Sequence, residues 1–116
     1  MKVFVYWNIK KGLWSIRALQ GENKGRVIER QAEVHLANCI LTVSEKGRLR
    51  VLKEKSKNVH AGIVGELVEP FSIDKFFNIT YNPYKYSSFV KCENKEPIHT
   101  AQLVKMNQDR SVQVII

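Results

Sequence analysis

The chain has 116 residues, 44% of them hydrophobic and 26% charged, which suits one soluble domain able to bury a core without staples. No apolar run approaches the eighteen or so residues of a membrane span. With only two cysteines, a disulfide scaffold is not the basis of the fold either.

The net charge of +8 is uneven. Residues 1–57 hold thirteen Lys and Arg against five Glu, whereas residues 58–116 hold six against six. The excess belongs to the first half and points to a phosphate-bearing partner. That partner can be a nucleic acid or a small nucleotide.

Lys2–Ile9, rich in Val, Phe, Tyr and Trp, is expected as a first strand. It is too short in its apolar part for a secretory signal, and no small-residue cleavage site follows. The cytoplasm is the expected location, and the two isolated thiols suit a reducing compartment. Lys10-Lys11-Gly12 turns the chain into a second strand over Leu13–Leu19, making a hairpin with Trp14, Ile16 and Ala18 on one face. Gly21–Gly25 is a second turn. A short strand over Arg26–Glu29 and a longer one over Glu33–Val43 follow. The mixed pattern of the longer strand predicts burial on both faces near its end.

Ser44 caps the main helix, expected from Glu45 to about Lys57. Gly47 weakens that helix by roughly 1 kcal/mol against alanine. The apolar stripe is thin, and the opposite face is strongly basic. Asn58–Val68 reads as another strand, in which Gly62 and Gly65 permit a close approach. His35 carries no predicted role, and His60 reads as a structural hydrogen-bonder. Ser72–Phe77 has the look of a short second helix carrying Phe76 and Phe77 inward. Ile98–Met106 and Val112–Ile116 close the chain as strands about a turn at residues 107–110. The expected class is therefore α+β: a mostly antiparallel sheet of seven or eight strands, with a helix over 45–57 and a short one over 72–77.

The stretch Thr80–Phe89 concentrates four of the nine Tyr and Phe residues. As an extended segment it places Tyr84 and Tyr86 on one side and Lys85 on the other. Asn82-Pro83 marks a bend. Rings beside a fixed amide suit a nucleobase, and they equally suit a strand whose tyrosines pack on the sheet.

Residue patterns for catalysis are missing: there is no GxSxG, HExxH, P-loop or dinucleotide glycine fingerprint. His35, His60 and His99 are too scattered to suggest zinc. No enzyme activity, metal or cofactor is expected.

The run from Arg48 to Ala61 with Val64-Gly65, the segment Tyr81-Asn82-Pro83-Tyr84-Lys85-Tyr86 with Ser88-Phe89-Val90, and Glu96-Pro97-Ile98 with Ala101 resemble the first type of phage Thoeris anti-defence proteins. That resemblance implies a non-enzymatic sponge. Such a protein sequesters the cyclic ADP-ribose isomers of bacterial TIR-domain sensors inside the infected host. It also implies homodimers, with hexamers and pockets for further cyclic nucleotides among the members. For such a ligand, Arg48 and Arg50 suit the pyrophosphate. Asn82 suits the base or ribose, and Tyr84 or Phe89 offers a stacking ring. Arg110 is a further candidate for the pyrophosphate, and Phe71 for stacking. A small DNA- or RNA-binding module is the alternative, with nucleic acid not expected as the main partner and no membrane involved.

Overall fold

The computed structural model describes residues 1–116. Nine strands and one helix follow one another: β1 (Lys2–Asn8), β2 (Leu13–Ala18), β3 (Val27–Gln31), β4 (Val34–Val43), α1 (Glu45–Glu54), β5 (Ala61–Leu67), β6 (Phe77–Thr80), β7 (Val90–Lys91), β8 (Thr100–Met106) and β9 (Val112–Ile115). All nine join one sheet in the order β3-β2-β1-β5-β4-β8-β9-β6-β7. Every pairing is antiparallel.

The sheet curls on itself. Strands β2 and β8 are four places apart in the order, about 19 Å across a flat sheet. Yet Trp14 Nε1 of β2 donates to the carbonyl of Asn107, just past β8, at 2.9 Å. One hydrophobic cluster of 16 buried residues fills the concave side, with Val3, Val5, Ile16, Leu36, Ile63, Val104 and Val114 at its centre. No helix of the molecule is long and apolar enough to cross a membrane.

A bulge in β4 explains its mixed pattern. The register shifts between Ala37 and Ile40, and Asn38 takes a positive φ of 52°. One extra residue reverses the side-chain parity. Val34 and Leu36 before the bulge, and Cys39 and Leu41 after it, are all buried in the same cluster. Ile40 is left half exposed. The strand therefore buries one face throughout, and a bulge of this kind bends it.

The α+β expectation is corrected to a β class. The structure has nine strands, and its single helix contributes only Val51 as a fully buried side chain. That is too little to form a layer against the sheet. The helix predicted over 45–57 stops at Glu54. Lys55 adopts the left-handed conformation (φ 57°) and its N–H caps the Val51 carbonyl, so residues 55–60 run on without regular structure. The helix predicted at 72–77 does not form. Phe77 instead pairs with Val114 as the start of β6, and Phe76 and Phe77 remain 39% and 36% exposed.

Where the helix starts, the sequence reading holds. Ser44 Oγ accepts from the Gly47 N–H at 3.2 Å. Gly47 itself has a packing reason: a Cβ there would stand 2.6 Å from the Cβ of His60. The helix axis can approach β5 only without that side chain. The first hairpin also forms as expected, with Trp7 opposite Trp14 and Val5 opposite Ile16.

Candidate functional site

At one end of the curled sheet the concave face opens into a cleft of about 310 Å³. Ile63 and Met106 belong to its floor, while Trp7, Trp14, Tyr81 and Phe89 supply aromatic walls. The two tryptophans meet edge to face at 5.0 Å, a contact that their pairing across the β1–β2 hairpin dictates. Tyr81 and Phe89 lie 5.3 Å apart at the two ends of the β6–β7 connection.

Tyr81 is fixed by His60. The Nδ1 of His60 lies 3.1 Å from the carbonyl oxygen of Asn58. A carbonyl only accepts, so Nδ1 carries the proton. Nε2 then accepts from the Tyr81 hydroxyl at 2.6 Å. Burial pushes the Tyr81 phenol up to about 12, against a smaller opposing pull from Arg48. The phenol therefore stays protonated at neutral pH and keeps donating to His60. The lone histidine read as a structural hydrogen-bonder has that role here.

Arg48 and Asn82 build the segment that carries this aromatic wall. The Arg48 Nε–H is shared between the carbonyls of Pro83 (3.0 Å) and Tyr86 (2.9 Å), and Nη1 reaches Glu45 at 3.3 Å. Asn82 Oδ1 accepts from the Tyr84 N–H at 2.9 Å, while its carbonyl accepts from Lys85 and Tyr86. These bonds close a turn at Pro83–Lys85, at the bend that Asn82-Pro83 marked, so the extended run expected to carry Tyr84 and Tyr86 does not form. The side-chain amide turns inward to shape its own loop.

Arg110 occupies the rim from the other side. It sits in the β8–β9 turn, where its N–H donates to Asn107 and the Asn107 N–H donates to Ser111. Its φ of 75° lies in the left-handed region that favours glycine. The guanidinium carbon stands 5.4 Å from the centre of a Trp7 ring, with no carboxylate in ion-pair reach. Next to it, Asp109 is held below the usual carboxylate range by the side-chain and backbone donors of Ser111.

Of the residues proposed from sequence, the cleft brings together Phe89 and Arg110. Arg48 and Asn82 lie behind its wall. Tyr84 is 56% exposed outside it, and Arg50 is exposed on α1. Phe71 packs edge-on against His35 at 4.9 Å, in a separate contact. Sequence reasoning missed Trp7, Trp14 and Tyr81 as lining. The hairpin register was a usable signal for the tryptophans, whereas Tyr81 had none beyond its place in the aromatic stretch. No group of three or more His, Cys, Asp or Glu is placed to hold a metal ion.

Together these features define a single-sheet antiparallel β protein, curled around its core and open at one end in an aromatic cleft. The chain belongs to the Mycobacterium phage L5 gene 82 protein family, whose model matches residues 1–114. It is 40% identical over 114 residues to the gene 82 protein of Mycobacterium phage L5, covering 92% of this chain and 90% of that protein. No solved structure matches. The bacteriophage origin expected from the sequence is thus supported, and the family's name carries no mention of Thoeris.

Proposed function

We propose that this phage protein is a non-catalytic sponge that holds a nucleobase-bearing, pyrophosphate-containing ligand in the cleft. The ligand expected from the Thoeris resemblance is a cyclic ADP-ribose isomer, whose removal would silence the host's Thoeris signalling. The observation that carries the reading is Arg110: a guanidinium free of carboxylates, at a backbone position that glycine would occupy more easily, over the rim of an aromatic cleft. Residues kept in uncommon backbone conformations cluster at binding sites. Four aromatic side chains offer faces and edges for a base. The arginine fork suits a pyrophosphate lying outside them. A volume near 310 Å³ is at the small end of ligand sites, so the base enters and the phosphates stay at the rim. Arg48 and Asn82 serve this site by fixing the loop that holds Tyr81 and Phe89.

Titration calorimetry with cyclic ADP-ribose isomers tests the proposal, followed by heat release and chromatography of the ligand. The expected result is saturable binding, recovery of the ligand unchanged, and a loss of about tenfold or more in affinity for Arg110→Ala. No heat with any isomer, or a cleaved product, overturns it. Sedimentation of the protein with and without ligand checks the homodimer that the sponge reading carries.

A further inference from the structure

We propose a second, independent site: a hollow on the outer face of the sheet that takes a small organic anion with an apolar body. Val3 and Val5 are buried in the core, so Phe4 between them stands on the opposite, outer face. There Phe4, Arg17, Thr42, Ser44, Val59 and His60 line a hollow of about 330 Å³. It shares no lining residue with the aromatic cleft. The fold shapes it from both sides. The Phe4 ring lies down over the bare backbone of Gly62, where a Cβ would stand 2.5 Å from Phe4 Cζ. Opposite, the Ser44 N–H donates to the His60 carbonyl at 2.7 Å, which pins the start of α1 to the chain entering β5.

Arg17 gives the hollow its chemistry. It lies directly opposite Phe4 in the first hairpin. Its guanidinium carbon stands 5.7 Å from the centre of the Phe4 ring and 5.5 Å from that of Tyr6. Stacking of this kind uses the flat face of the guanidinium and leaves its N–H edges available. No carboxylate lies in ion-pair reach of those edges, and the arginine side-chain hydrogen bonds of the molecule are all made by Arg48. The two rings therefore hold in place a fork that matches a carboxylate or a phosphate. Beside it, Phe4, Val43 and the half-exposed Val59 offer apolar surface to the rest of the ligand. The ring nitrogens of His60 are engaged by Asn58 and Tyr81, so His60 adds surface and no competing charge. An inorganic anion would use the fork and leave the apolar walls wet, and a neutral ring would do the reverse. The volume is at the small end of ligand sites, which suits a single ring or a short chain.

Amide NMR of the isotope-labelled protein, titrated with phenyl phosphate, benzoate, inorganic phosphate and benzyl alcohol, tests this. The expected result is a saturable shift of the Thr42, Ser44 and Val59 amides, half-complete at about 1 mM or below with phenyl phosphate or benzoate. Inorganic phosphate binds about tenfold more weakly, and benzyl alcohol more weakly still. Arg17→Gln weakens binding about tenfold or more, and Arg17→Lys recovers part of it. Val59→Asp, at an exposed position outside the strands and helix, weakens it through like charge. Preference for phenyl phosphate or for benzoate supports the proposal and says whether the natural ligand is a phosphate ester or a carboxylate. No shift at these amides overturns it, as do shifts confined to the indole N–H groups of Trp7 and Trp14, which would put the anion in the cleft. Equal affinity for inorganic and phenyl phosphate, or indifference to Arg17→Gln, overturns it as well.

Discussion

Arg48 and Arg110 show what separates the two sides of the cleft. Arg48, on the helix side, has its Nε–H divided between two loop carbonyls and an Nη1 on Glu45. Around it, the amide of Asn82, the imidazole of His60 and the hydroxyl of Tyr81 are likewise bonded to protein. Arg110, on the β8–β9 side, has the π face of Trp7 and no anion. The same functional group is a fastener in one place and an unspent cation in the other. The difference lies in what tertiary packing brings within 3 Å, because hydrogen bonds made inside the protein leave little capacity for a ligand.

The comparison can be broken first at the shared floor. A Cβ on Gly62 would meet Phe4 Cζ and the Val5 carbonyl oxygen, each at 2.5 Å. Gly62→Ala is therefore expected to cost roughly 3 kcal/mol, since the carbonyl cannot swing aside. Urea unfolding measures it, and a loss under about 1 kcal/mol would mean that β1 and β5 can part easily. Next, Arg48→Ala should destabilise by roughly 1.5–3 kcal/mol, because the two carbonyls lose a charged donor. Arg110→Gly should go the other way, gaining roughly 1 kcal/mol as the left-handed strain is released, while losing the ligand. Equal effects at the two arginines would dissolve the distinction.

Tyr81→Phe removes the donor to His60 Nε2 and should cost about 1 kcal/mol. Ligand affinity would fall only as far as the wall loosens. Acid sharpens the picture least. Burial holds His35 below the usual imidazole range, opposed by Glu33 and assisted by Lys105. The unfolded chain then takes up the proton first as pH falls through about 6.5. The stability contributed by neutral His35 is present above that range and is lost on acidification below it. His35→Gln should flatten that part of the unfolding midpoint against pH, and an unchanged profile would assign the acid sensitivity to another group.

Strand periodicity made the β1–β2 hairpin legible, since Trp14, Ile16 and Ala18 show the alternation of a strand with one buried face, and all three are buried. The N-terminus of α1 was legible because Ser44 caps it through a purely local bond. The later segments were not. The Phe76-Phe77 pair suggested a helix, but Phe77 joins β9, whose residues come more than thirty positions later. Within the aromatic stretch the bend at Asn82-Pro83 was legible, but the extended run expected beside it was not what forms, because Arg48 holds the carbonyls of Pro83 and Tyr86. Of the candidate ligand residues, Phe89 and Arg110 reach the cleft only because the sheet curls.

By itself, the sequence determined the β-rich character, the first hairpin, the start of the helix and the excess of cations in the first half. Each follows from residues near one another in the chain, through side-chain period, capping or simple charge. Tertiary structure alone decided that α1 would form no layer, that Asn38 would reverse the parity of β4, and that Arg48 would be bound while Arg110 stayed free. Those outcomes depend on which distant carbonyls, rings and carboxylates come within a few ångströms, and no local pattern encodes that proximity.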